Sequence, residues 1–183
     1  MTRRVRLERR RCFFRRTLVG ALILVVLFAA ATARLFVWPT DGAPGQVDAV
    51  LMTASPYAPV SLATQLARTL RAKYLLISLG HDGYGGTCPR PVHHTRLICF
   101  DPSPATTQGE AEYVGRLAAK YGWRSILVVS TAPQQWRAEQ RVRRCFHGSV
   151  YGAAGPIPLY SWPYEIAYEW AATIKMLVLQ RSC

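Results

Sequence analysis

Thr106-Thr107-Gln108-Gly109-Glu110 places a hydroxyl three residues before a carboxylate, at the head of a run with helical apolar spacing. That is a capping-box pattern, with Thr107 as the expected cap. The first turn of such a helix offers unpaired backbone N–H groups and the positive end of the helix dipole, together a site for phosphate or carboxylate. Glu110 has two roles open to it, acid/base chemistry or a reciprocal cap. Ser130 and Thr131 end the segment Ser125–Thr131, which reads as the strongest buried strand, and Arg137 follows in the next helix turn. Together they have the chemistry to meet an anion, and the fixed fork of an arginine suits phosphate or carboxylate. The competing reading makes Ser130 and Thr131 ordinary strand-end polarity and sets Arg137 on a solvated helix face beside Arg141 and Arg144.

Gly80-His81-Asp82-Gly83-Tyr84-Gly85-Gly86 is glycine-rich but is not G-x-G-x-x-G, and no helix pattern follows it at once. It supports a ligand-side loop and no more. His81 and Asp82 could work as a base pair in catalysis, or stand as loop residues without a role. Cys88, His93, His94 and Cys99 have zinc-ligand types, but the two histidines are adjacent. No metal site and no cofactor are expected.

These residues need elements to hold them. Val47 to Thr53, Tyr74 to Leu79, Arg96 to Phe100 and Ser125 to Thr131 read as strands, mostly apolar at every position, and Ser149 to Gly152 as a short fifth. Continuous apolar strands suit a sheet buried on both faces. Between them lie helical patterns at 60–72, 107–121 and 135–146, and a last helix begins near Pro163 with Ile166, Trp170, Ile174 and Leu177 on one expected inward face. Strand–helix alternation predicts an α/β fold, a Rossmann-like three-layer sandwich with a mostly parallel sheet. In such sheets ligands bind beyond the carboxyl ends of the strands. The loops 54–59, 80–86 and 132–136 should converge there.

The N-terminal residues say where the domain lives. Residues 1–16 carry eight arginines and one glutamate, and Thr17 to Ala33 carries no charge. Leu35 to Trp38 extends the apolar run past Arg34. About 20 apolar residues span a bilayer core as a helix, and the arginines favour a cytoplasmic N-terminus. The expected organisation is a basic cytoplasmic segment (1–16), a transmembrane anchor or signal (17–38), a turn-rich linker (39–46) and one α/β domain (47–183) outside the cytoplasm. Ala31-Thr32-Ala33 is also an A-x-A cleavage pattern, so secretion after cleavage at Ala33 is the alternative. Of the formal net charge of +13, the first 16 residues supply +7. The expected partners are therefore the membrane and an anionic small molecule or cell-wall precursor, and no nucleic acid.

Outside residues 1–38 there are four cysteines, an even number suited to an oxidising compartment. Three pairings are formally possible. Cys88 with Cys99 would close a short loop, leaving Cys145 to tie down Cys183 at the terminus.

Several stretches carry a resemblance. "TTQGEA" (106–111), "GWRSILVVST" (122–131), "RAEQRVRRCFHG" (137–148) and "YEWAATIK" (168–175) resemble the YdcF-like (ElyC- and SanA-like) envelope domain over most of residues 47–183. The exported, actinobacterial-type branch, which shares the cysteines, is the nearest in character. The resemblance implies a Rossmann-like fold, a single N-terminal anchor and a link to cell-envelope biogenesis. It also implies a place in the site for Thr107, Glu110, Ser130 and Arg137, and for Gln134 where the family carries a histidine. Thr53-Ala54-Ser55-Pro56 stands where the family has glycines, and no arginine opens the helix near Ser61. Three functions follow as expectations: binding of an anionic ligand, hydrolase or transferase chemistry on a phosphate-bearing lipid or glycan through Glu110 and Arg137, and a scaffold with a vestigial crevice filled by Tyr57 or Trp136.

Overall fold

The structure is a computed structural model that describes residues 2–39, 42, 45–80 and 87–183, with side chains from Phe13 onward. Its strands are β1 (Ala49–Met52), β2 (Tyr74–Ser78), β3 (Arg96–Phe100), β4 (Ser125–Thr131) and β5 (Ser149–Gly155). They form one sheet in the order β3-β2-β1-β4-β5, and every pairing is parallel. Val50 on the central strand lies opposite both Leu75 and Leu127.

Side-chain alternation along β1 explains its unbroken apolar sequence. Ala49 and Leu51 face the helices α3 (Thr107–Tyr121) and α4 (Ala132–Cys145), meeting Val114, Ala118, Ala138 and Val142. Val50 and Met52 face α2 (Val60–Thr69), meeting Ala63 and Ala67. A strand covered on both faces has no solvent side to populate with polar residues. Each fully buried Leu, Ile or Val here contributes about 1.5–3 kcal/mol. The chain is thus an α/β sandwich around a parallel sheet, as the sequence alternation predicts.

Two local details differ from expectation. Thr106, not Thr107, caps α3, accepting the Gly109 N–H at 3.3 Å. The extended backbone of Thr106 leaves its hydroxyl free to bend back, while Thr107 already belongs to the first turn. Gly109 is required there, because an added Cβ would collide with the Pro104 carbonyl. The segment 132–136 is not a loop: β4 runs directly into α4, with Pro133 in the first turn where its missing N–H costs nothing.

A third difference is larger. The last helix, α5 (Trp162–Val178), does not turn its apolar stripe inward. Glu169, Thr173 and Met176 are the buried residues, whereas Ile174 and Leu177, expected inside, are 55% and 48% exposed. Trp170 points to the N-terminal helix α1 (Thr2–Thr32). It stacks on Phe28 at 5.1 Å, meets Phe36 edge-on at 5.3 Å and donates to Thr32 Oγ1 at 3.1 Å.

The stretch Phe13–Val37, most of α1 and the turn after it, is long and apolar enough to cross a membrane or act as a signal sequence. The helix widens into a π-helical turn at Ala33–Val37, and Phe36 in that turn is fully buried. The segment that follows touches the domain again where the Gly42 N–H bonds to the Gly152 carbonyl at 3.1 Å. Disulfides join Cys88 to Cys99 and Cys145 to Cys183, with Cα separations of 5.9 and 4.9 Å. The first uses two of the four side chains that a zinc reading needs. Two disulfides in one small domain are characteristic of an oxidising compartment.

Candidate functional site

The strand order fixes where a ligand can sit. The chain lays down β1, β2 and β3 toward one edge, then returns to place β4 and β5 on the other side of β1. The crevice between the carboxyl ends of β1 and β4 is the switch point of the sheet, the place where open α/β sheets bind ligands. A cleft of about 420 Å³ lies there, bounded by the segment after β1, the head of α3, the first turns of α4 and one side of α5.

Of the residues singled out by sequence, Gly80, Thr106, Thr107, Glu110, Gln134 and Arg137 line this one cleft. Ser130 and Thr131 do not line it. Ser130 is fully buried behind it and accepts the Thr53 hydroxyl at 2.7 Å, joining β4 to the end of β1. Thr131 is the residue preceding α4, and its side chain makes no capping bond. His81 and Asp82 lie outside the described residues.

Arg137 projects from the second turn of α4 toward the head of α3, but its fork is already engaged. Nε and Nη2 donate to the two carboxylate oxygens of Glu169 at 2.6 and 2.7 Å, and Nη1 donates to Thr107 Oγ1 at 3.0 Å. Burial disfavours its charge, but the Glu169 carboxylate outweighs that and raises its pKa. Gln134 adds a long donation to the same Thr107 hydroxyl at 3.4 Å. The competing reading, a solvated helix face carrying Arg137 and Arg141, does not hold. Arg137 is 8% exposed and Arg141 4% exposed, because α5 covers that face of α4.

Glu110 neither caps α3 nor meets Arg137 directly. It is 2% exposed, and Oε1 accepts the Ala54 N–H at 2.7 Å. Oε2 has no hydrogen-bond partner among the described residues. Burial pushes its pKa up to about 7; the Ser78 hydroxyl, the Ala54 N–H and the positive charge of Arg137 pull the other way and do not cancel the effect. Ser78 Oγ is a neighbour without full hydrogen-bond geometry, since it too is unpartnered. A carboxyl near pH 7 with a vacant oxygen is suited to take up or deliver a proton.

Arg141 stands one turn beyond Arg137 on the same face. It donates to the Gln180 carbonyl at 2.8 Å and to the Gln180 side-chain oxygen, and its Nε is unpartnered. No carboxylate among the described residues forms a salt bridge with it. Desolvation first, then repulsion from Arg144 and Arg137, lowers its pKa. Its side chain lines the same cleft as Arg137. Tyr164, Glu165, Tyr168 and Lys175 complete the α5 wall. Burial, then repulsion from Glu169, raises the pKa of Glu165.

Sequence reasoning missed the α5 contribution entirely. Glu169 had a faint signal: a carboxylate in the midst of an aromatic and aliphatic helix is costly unless a cation meets it. Among the described residues, no cluster of His, Cys, Asp and Glu side chains is arranged to hold a metal ion. No protein-family model, curated protein or solved structure gives a significant match to this chain.

Proposed function

We propose that this chain is a membrane-anchored domain of the YdcF-like kind, held outside the cytoplasm with its N-terminus inside, and that its cleft binds an anionic small molecule or envelope precursor. The observation that carries the reading is Arg141. A nearly buried guanidinium with an unpartnered Nε and no salt bridge among the described residues is an incomplete electrostatic arrangement on a cleft wall, even with the charge of Glu112 acting on it. An anion completes it. The head of α3 adds its positive dipole end to the same cleft. Lys175 on α5 lines the same cleft. Glu169 neutralises Arg137, whose role is to hold Thr107 and the cleft wall in place.

The test is a thermal-shift series on the full chain in detergent micelles with inorganic phosphate, nucleoside phosphates, sugar phosphates and matched neutral sugars. Stabilisation by a phosphate-bearing compound, weakened about ten- to a hundredfold by Arg141→Gln, is the expected result, since a charge-assisted hydrogen bond contributes about 1.5–3 kcal/mol. Response to neutral sugars alone, or equal response in the variant, rejects the anion reading.

Glu110 favours a second reading, in which the cleft is the active site of a hydrolase or transferase acting on a phosphate-bearing lipid or glycan. Its pKa of about 7 poises it as a general base or acid at the cleft. Against a vestigial crevice, neither Tyr57 nor Trp136 lines the cleft.

A further inference from the structure

Large apolar side chains that are exposed among the described residues fall in only two stretches. One is the N-terminal helix and its end, Phe13 to Trp38, and the other runs from Leu159 to Leu179. The second stretch is the outward face of α5 with its lead-in and exit. Tyr164 is 70% exposed, Tyr168 51%, Ile174 55%, Val178 57% and Leu179 74%. At 100° per residue these positions share one side of the helix with Pro163, Ala167, Ala171 and Lys175. The face carries no acid, and its one charge is a lysine. A surface helix facing water reverses this pattern, with its charged residues outward.

The two stretches are physically joined. Trp170 of α5 stacks on Phe28, meets Phe36 and bonds to Thr32. Phe28 lies within the uncharged apolar segment, about 7 Å of helical rise before the π-helical turn at Ala33. A residue of the α/β domain therefore reaches alongside the segment that is long enough to span a bilayer. Any bilayer that receives Phe28 brings its interfacial zone to the level of Trp170. That zone is where Trp and Tyr rings and snorkelling lysines settle.

We infer that the outward face of α5 lies on the lipid surface that α1 enters, with Tyr164 and Tyr168 at the headgroup level, Ile174, Val178 and Leu179 dipping below it and Lys175 among lipid phosphates. This rests on α1 being retained as a membrane span. It has a geometric consequence for the cleft. Tyr164, Tyr168 and Lys175 line both the cleft and this face, so the cleft opens beside the lipid surface rather than into bulk water. The arrangement also accounts for the inverted helix. The apolar stripe is satisfied by lipid, which leaves the inner side free to carry Glu169 to Arg137.

The experiment uses the full chain with Cys12→Ser, reconstituted at low protein-to-lipid ratio into vesicles of phosphatidylcholine and phosphatidylglycerol. An environment-sensitive fluorophore is placed at Ile174→Cys, at Val178→Cys and, as a control across the sheet, at Gln65→Cys on α2. Lipids with a nitroxide near the headgroup should quench positions 174 and 178 several-fold more than position 65, with blue-shifted emission at the first two. Equal quenching at 174, 178 and 65, in protein that stays with the vesicles at alkaline pH, overturns the seat of α5 while leaving the anchor. Release of the protein at alkaline pH overturns the anchor and the inference with it. Efficient cross-linking between copies through position 174 also overturns it, since a second copy then covers the face. None of these outcomes depends on ligand binding, so the anion reading stands or falls separately.

Discussion

Asp48 and Glu110 hold opposite ends of β1 and are treated in opposite ways. Asp48 immediately precedes the strand. Its Oδ2 accepts from the Arg124 N–H at 2.9 Å, the Ser125 N–H at 3.2 Å and the Ser125 hydroxyl at 3.1 Å. Partial burial works against its charge, but these bonds and Lys73 prevail and hold its pKa below the usual carboxylate value. Glu110 meets the chain just past the strand, through one N–H of Ala54, and burial wins. The same functional group is saturated with donors at the amino edge and left short of them at the carboxyl edge. Saturation locks β1 to β4. Under-satisfaction leaves a proton and an oxygen in play at the edge where the cleft lies.

The sharpest break in this contrast concerns the one carboxylate at the carboxyl edge that is saturated. Arg137→Ala strands Glu169, which is 1% exposed, and a buried unpaired charge costs about 3–5 kcal/mol. Denaturant unfolding of the full chain in micelles should show that loss. Combining Arg137→Met with Glu169→Leu should recover most of it, since apolar replacements of buried pairs are often neutral. Loss of ligand binding without loss of stability in Arg137→Ala would instead mean that the pair does not hold the wall.

Glu110 should impose a pH slope of the opposite sign to that of Asp48. Its folded pKa of about 7 lies above the reference 4.5. Between these values the folded state binds the extra proton, so stability falls as pH rises and levels off above 7. The rise from 4.5 to about 7 corresponds to roughly 3 kcal/mol over that window. Glu110→Gln should flatten the slope and make the variant the more stable protein at pH 8. An unchanged slope in unfolding curves at pH 4.5, 6 and 8 would assign the titration elsewhere.

Asp48 should show the smallest of the three effects. Asp48→Ala leaves the Arg124 and Ser125 N–H groups without their acceptor and should cost about 1–3 kcal/mol at neutral pH. The contribution of the native carboxylate is present above pH 3.8 and is lost as pH falls through its depressed folded value. The Ala variant should therefore lose less stability than the native chain on acidification below pH 3.8, as read by thermal unfolding between pH 2 and 5. Equal acid losses in both would remove Asp48 from the account.

What the sequence determined is what local spacing can encode. The strands were legible because a strand buried on both faces must be apolar at every position, as in Val50-Leu51-Met52 and Ile126-Leu127-Val128-Val129. The start of α3 was legible to within one residue, since either threonine of Thr106-Thr107 has the hydroxyl a cap needs. So was the grouping of Thr107, Glu110 and Arg137 around one edge, because parallel strand–helix units bring every such turn to the same side of the sheet. The charge state of that edge was not legible. Arg137 and Glu169 are 32 positions apart, and only packing of α5 over α4 decides that this fork is spent on a carboxylate while Arg141 meets the neutral Gln180. The inward face of α5 failed for the same reason. Apolar periodicity marks the side of a helix that avoids water, but whether that side meets the core is set by the neighbours, and here the core side was claimed by an ion pair. Propensity and pattern act over a few residues, whereas the pairing of buried charges is fixed only when distant segments close around them.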